Sequence, residues 1–581
     1  MKTTTPFSDH QTVIPPHLEP FIVKQNYEKY TPRDQAVWRF IMSHSLSYFA
    51  KHAHSVYVKG LEKTGIPIEE IPHVSAMNER LQEFGWGAVC VCGFIPPLAF
   101  LEFQANRILP IAADMRTVEH LTYTPAPDIV HEAAGHAPII ADPGYREYLT
   151  RYAQMARKAI FSIEDIRLYE AIRVLSDVKE NPDSTKAEIQ QAELNLVSAT
   201  KAITWTSEAT KVTRMYWWTA EYGLIGDMQD PLLYGAGLLS SLAESRYCLT
   251  PQVKKLPFNL NCVEQSYDIT EPQPQLFVAK DFQALSEVLA ALEDSLSFRV
   301  GGVSSLEMAK RAATVNTVVL DNGLEISGVL DTFEANNSTI TFVKWQGPVQ
   351  LCYQGKELPG QGRSRHSHGF SSPLGLSGDQ VKKLGLKAGL QTTVETAAGF
   401  KVTGLIKAFT WDQDHRNLLL ITWQDCSVTC RGRVYFDPAW GEFDMAIGCT
   451  VPSVYGGPAD WSAYGSYDFG HASSTPGRKS PFTAEEKKLF AMYQKIRDIR
   501  KNPASQLTRD SEKELEIMAE TLQKEFSQEW LLGIEILEVW HKHIKKPAQW
   551  VEQLQHQFLT LHKFPESLQE YVKMGIERAV H

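Results

Sequence analysis

Apolar side chains return every three or four positions over long stretches between about residues 20 and 300, as from Tyr145 to Phe161 and from Thr204 to Leu224, with short Pro/Gly breaks between them. That period predicts helices with one buried face, and so a mainly α region. From 312 to 455 the pattern shortens to β-branched runs separated by turn residues. TVVL, Asp321-Asn322-Gly323 and LEISGVL in succession predict a hairpin. Gly323-LEISGVLDTF followed by STITFVKW resembles Gly399-FKVTGLIKAF followed by LLLITW, 76 positions on, which predicts two copies of one β unit. Residues 456–482 are rich in Gly, Ser, Pro and Tyr and read as a linker or an extended binding loop. The helical period then returns in a tail from 483 to 581. Thr483 and Glu486 have capping-box spacing, and Leu515, Met518, Leu522 and Phe526 make a stripe expected to pack on the body of the protein. The predicted organisation is an α unit at 20–305, a β-rich unit at 312–455, a linker at 456–482 and a helical tail.

Composition narrows the classes without changing that picture. A chain of 581 residues is too long for one domain, and 43% hydrophobic with 22% charged residues is globular. With 58 Lys+Arg against 68 Asp+Glu the net charge of −10 has the wrong sign for a nucleic-acid partner. The first thirty residues hold no apolar run behind a basic start, so a cytoplasmic location is expected. Trp86 to Phe103 nears membrane-span length, but Pro96-Pro97 and Glu102 interrupt it; a buried strand, a turn and a helix start are expected there, and no membrane partner. Eight cysteines, with no partner pair for Cys90/Cys92 or Cys426/Cys430 at zinc-finger spacing, read as core thiols.

The densest chemistry lies in Pro127-Asp-Ile-Val-His131-Glu132-Ala-Ala-Gly135-His136-Ala-Pro138. It suggests the zinc-protease motif, in which two His four apart share a helix face around a catalytic Glu. Here the spacing is five, about 140° apart at roughly 100° per residue, so both imidazoles reach one metal only if the helix ends or distorts between them. Gly135 and Pro138 predict an ending. A third ligand for iron(II) is expected to be a carboxylate. Glu221, in the aromatic segment Tyr216-Trp-Trp-Thr-Ala-Glu221-Tyr-Gly-Leu224, is an acid whose burial demands a cationic partner. A metal or a nearby arginine such as Arg214 would serve.

Taken together, the run Tyr123 to Pro138, the segment Trp217 to Gly223, and Tyr234-Gly-Ala-Gly-Leu-Leu-Ser-Ser241 followed by Tyr247-Cys-Leu249 resemble the pterin-dependent aromatic amino acid hydroxylases, in order, over about residues 25 to 300. The resemblance implies that fold for the α unit and a monooxygenase using Fe(II), a tetrahydropterin such as tetrahydrobiopterin, and O2 on a free aromatic amino acid. It implies His131, His136 and Glu221 as iron ligands. Arg116 corresponds to the arginine for the amino acid's carboxylate and Asp128 to the aspartate holding it, a task for a planar guanidinium. Phe100 matches the aromatic that stacks on the pterin, and Glu132 the acid beside the pterin. Ser240 matches the serine bonded to an iron-bound imidazole. Tyr216, Trp217, Gly237 and Val278 match the pocket around iron and the substrate ring, although Val278 also suits simple core packing.

The phenylalanine enzymes of the family share Trp217 and Val278, whereas tryptophan enzymes tend to have Phe at the first position and tyrosine enzymes Asp at the second. Phenylalanine is therefore the expected substrate, with tryptophan, tyrosine or a zinc-dependent peptidase reaction as alternatives. Ala126 replaces a glutamate of the animal enzymes, and Pro110 a histidine near the iron. The C-terminal half lies beyond the resemblance. A binding module for a protein partner or for self-association is one expectation there; another is an anion or metal site at Arg363-Ser-Arg-His-Ser-His368, against a merely solvated basic loop.

Overall fold

The computed structural model describes residues 14–91, 95–121, 127–180, 184–269, 271–465, 481–501, 509–544, 546–560, 564 and 566–580. The Pro32–His52 helix begins at a reciprocal cap. Thr31 Oγ1 accepts from the Asp34 N–H and the Asp34 carboxylate accepts from the Thr31 N–H, with Pro32 at the first helical position. Residues 35 to 45 of this helix are buried on every face. A helix so placed lies inside a core rather than on its surface.

Around it the α region builds two small sheets. Gly87–Val91 and Ile108–Ala112 run parallel, joined by the Pro97–Ala105 helix, so Trp86 to Phe103 forms the strand and helix start that its prolines predicted. A second sheet has the order Pro231–Leu233, Leu224–Gly226, Gln275–Ala279, Lys254–Pro257. No helix among the described residues is long and apolar enough to cross a membrane. All the described cysteines but Cys449 are buried; Cys92 lies outside the described residues.

The β region contains two antiparallel sheets whose central hairpins are Leu324–Asn336 with Thr339–Tyr353 and Lys401–Trp411 with Leu418–Cys430. The stretches alike in sequence occupy corresponding places. Gly323 and Gly399 both turn with φ of 88°, in the left-handed region that favours glycine. Gly328 and Gly404 both sit at a register shift of the long hairpin. Thr317 pairs with Ser327 through their hydroxyls at 2.8 Å, and Thr393, 76 positions on, pairs with Thr403 at 2.9 Å.

The stretch read as a linker is anchored at its start. Ser453–Gly456 is a strand pairing antiparallel with Val315–Val319, and the Gly456 N–H donates to Lys158 O at 2.9 Å. Trp461 stacks on His17 at 5.9 Å. Residues 466–480 lie outside the described residues. Thr483 and Glu486 form the reciprocal cap their spacing predicted. The helices beyond it return to the start of the chain: Leu515, Met518, Leu522 and Phe526 are buried in one core with the α region. Trp530 meets Phe40 edge-on at 5.3 Å, while Arg39 bonds Glu535 and Glu538 at 2.8 and 2.5 Å. That contact explains why the Pro32–His52 helix has no exposed side over residues 35–45.

Candidate metal centre

His131 and His136 lie in Val130–His136, a π-helical stretch that continues into the Ala137–Ile140 helix. The expected ending at Gly135 and Pro138 is thus corrected: the helix widens and continues. A π turn closes hydrogen bonds between residues five apart, which sets such residues on one face. The five-residue spacing that misfits an α-helix fits this one. Gly135 is needed for close approach, since a Cβ there would meet Ala236 O at 2.7 Å. Glu221 ends a second π stretch, Trp217–Glu221.

The carboxylate of Glu221 spans both imidazoles, with Oε2 3.2 Å from His131 Nε2 and Oε1 3.1 Å from His136 Nε2. Among the described residues these three are the one group of His, Cys, Asp or Glu side chains whose ligand atoms converge within 4.8 Å. Ligand atoms about 2.1 Å from one ion and at right angles to each other stand ~3 Å apart, so the spacing suits one first-row metal. Among the described residues neither ring nitrogen of His136 has a hydrogen-bond partner, although Nε2 is so near Glu221. Proximity without a donor alignment is what atoms sharing a cation show. Burial opposes the charge on Glu221, but His136 and His131 outweigh it and hold the carboxyl well below the ordinary range. Arg214, the other partner considered, donates to Val263 O instead.

The surroundings orient these groups. Ser240 Oγ donates to Ala236 O at 2.8 Å and accepts at 3.1 Å from His131 Nδ1, which directs Nε2 of that ring toward Glu221. Arg116 grips Asp128 through Nε and Nη2 at 2.8 and 2.7 Å and donates from Nη1 to Ser240 O at 3.0 Å. Three of five guanidinium N–H groups are used in these contacts. Burial pushes the Asp128 carboxyl up, yet Arg116 prevails and holds it below its usual value. Asp128 Oδ1 also accepts from the His131 N–H at 3.0 Å, tying the arginine to the first imidazole. Burial pushes the Glu132 carboxyl up to about 8, with Glu221 and Asp128 adding to the rise and His136 opposing it. Among the described residues its Oε2 has no hydrogen-bond partner.

Phe100, on the Pro97–Ala105 helix, stands 6.4 Å from the His136 ring and 6.1 Å from Tyr216. Tyr216 lies 6.3 Å from His136. A Cβ on Gly237 would meet the Tyr222 ring at 2.8 Å, so only glycine lets that backbone approach. Val278 is buried in its strand, paired with Leu224 and with Pro257, and belongs to the same core as the site. Pro110 is buried opposite Val89 in the parallel pair, while Ala126 lies outside the described residues.

Two residues escaped the sequence reading. Gln104 donates to the Tyr216 hydroxyl at 3.0 Å, and Tyr267 stacks on Trp217 at 4.2 Å, opposite Tyr222 at 4.6 Å. A fully buried amide in the apolar segment PLAFLEFQA was a signal for the first. Nothing local marks Tyr267.

In the C-terminal half, Arg363 donates to Tyr464 O, Arg365 pairs with Asp444 and Glu442, and His366 is buried against Gln361. The stretch is thus tethered at these three residues, while Ser364, Ser367 and His368 are exposed and Arg363 Nε has no hydrogen-bond partner among the described residues.

Residues 24–159 and 181–341 match the family model described as biopterin-dependent aromatic amino acid hydroxylase. The phenylalanine-4-hydroxylase of Mesorhizobium japonicum is 29% identical over 271 residues, covering 46% of this chain and 82% of that protein. The one from Pseudomonas aeruginosa is 28% identical over 291 residues, covering 49% and 93%. Among solved structures, phenylalanine hydroxylase of Chromobacterium violaceum with iron(III) and 7,8-dihydrobiopterin is 26% identical over 47% of this chain and 85% of that one, with a TM-score of 0.37. The family match takes in just over half of the 581 residues, including His131, His136, Glu221 and the Arg116–Asp128 pair, and the chain belongs to the biopterin-dependent aromatic amino acid hydroxylases.

Proposed function

We propose that this hydroxylase converts free L-phenylalanine to tyrosine, as a phenylalanine 4-monooxygenase, with Fe(II) held by His131, His136 and Glu221. The observation that carries the reading is the convergence of those three ligand atoms beside a buried Arg116–Asp128 pair. When bound, iron and tetrahydrobiopterin supply the activation of O2 that ring hydroxylation requires. The protein's part is placement. Arg116 receives the substrate carboxylate on its remaining N–H groups, and Asp128 keeps the guanidinium aimed. Ser240 fixes the rotation of the His131 ring. Phe100 offers a face to the pterin, and Glu132 offers its carboxyl to it. Tyr216, Trp217, Gly237 and Val278 form the walls that receive the ring and keep water out.

Support for phenylalanine comes from Trp217 and Val278 and from the names of the bacterial relatives. Tryptophan and tyrosine are the competing substrates, and family membership replaces the zinc-peptidase alternative. The test is turnover of Phe, Tyr and Trp side by side with tetrahydrobiopterin, Fe(II) and O2. Tyrosine formed from phenylalanine, with the highest kcat/KM of the three, is expected. A higher kcat/KM for tryptophan or tyrosine would replace the substrate, and a Glu221→Ala variant retaining full iron content and rate would remove the proposed centre.

A further inference from the structure

The two β sheets differ at one corresponding edge. In the first, Val315–Val319 has a neighbour on each side: Leu324–Asn336 and the incoming strand Ser453–Gly456. In the second, the counterpart Gln391–Glu395 pairs, among the described residues, with Lys401–Trp411 alone and ends the strand order. The ladder shows which groups that edge presents. Ile406 N donates to Leu390 O and Thr396 N to Phe400 O, so residues 390, 392, 394 and 396 face inward. The N–H and C=O of Gln391, Thr393 and Glu395 face out. Their counterparts Val315, Thr317 and Val319 are the ones opposite Gly457, Tyr455 and Ser453, and Val315 O accepts from the Gly457 N–H at 2.9 Å.

We infer that the Gln391–Glu395 edge pairs antiparallel with the same strand of a second copy of this chain. An edge of unpaired amides takes an added strand readily, and the first sheet shows the equivalent edge so filled. The sequence favours self-pairing. Full overlap of QTTVE with itself places Thr393 on the two-fold axis, with Gln391 opposite Glu395 twice. No like charges oppose each other, and Lys401, 3.8 Å from Glu395, adds a balancing positive charge. The side chains of Gln391, Thr393 and Glu395 are exposed, Val394 is buried, and Leu390 just before the strand is 40% exposed, giving the pair apolar surface to cover. With five residues per copy the dimer is weak and concentration-dependent.

Sedimentation equilibrium of the full-length chain, from micromolar to high-micromolar concentration, tests this with three surface variants. A reversible dimer is expected. Gln391→Glu sets two symmetry-related pairs of carboxylates against each other and should raise the dissociation constant by roughly threefold to thirtyfold, while Gln391→Lys should lower it by a similar factor. Thr393→Val keeps the outward N–H and should leave the dimer in place. A monomer at every concentration, or a dimer that responds alike to the Glu and Lys variants, overturns the inference.

Discussion

Ser240 divides one hydroxyl between two neighbours, donating to Ala236 O and accepting from His131 Nδ1, while its carbonyl takes a bond from Arg116. One residue therefore joins the imidazole to the guanidinium. Ser240→Ala removes the acceptor that fixes the ring, and iron affinity should fall by about 10- to 100-fold with little change in melting temperature, measured by titrating the apoprotein with Fe(II). Arg116→Lys keeps the charge but loses the fork on Asp128. KM for the amino acid should rise at least about tenfold with a smaller change in iron content, because a point charge cannot hold both carboxylates in plane. Both residues were singled out by the family resemblance rather than by their own local pattern. Gln104 and Tyr267 were not: their partners lie 112 and 50 positions away, and nothing in a local pattern selects one buried polar group for another at such range.

At the level of elements, the sequence spacing was informative but its geometric conversion was not. A five-residue interval was measured against an α-helix, and the widened Val130–His136 turn makes the same interval a shared face. Such widening has no periodic signature in seven residues. What does mark it is Gly135, seated where Ala236 O leaves no room for a Cβ. Gly135→Ala should push the Ala236–Leu239 segment away, lowering stability by roughly 1–3 kcal/mol and loosening Ser240 with it. Thermal melts and iron content should both drop, unlike in Ser240→Ala. The hairpin of Val315–Val319 with Leu324–Asn336, by contrast, was readable from alternation and the Asn322-Gly323 turn, since both signals are local.

Across the whole molecule, the docking of the tail on the Pro32–His52 helix was only half legible: the apolar stripe announced a partner surface, but Arg39 and Glu535 meet across 496 positions. That interface encloses His44, whose Nδ1 bonds Phe40 O. Burial lowers its pKa from 6.5 to about 4, and Arg578 on the last helix acts in the same direction. The unfolded chain thus binds a proton there between those values while the folded chain does not, so stability is lost as pH falls from 6.5 toward 4, by at most roughly 3 kcal/mol. Melting temperature should decline over that window, and more shallowly in His44→Gln.

The hydrogen bond from Gly457 N–H to Val315 O closes the β region at its base. The chain leaves and rejoins the hydroxylase body at neighbouring residues, with both sheets looped out between them. A segment with adjoining ends can be gained or lost in a single genetic step without displacing what flanks it. The β region is such a segment, and the family match, which runs to residue 341, ends inside its first sheet.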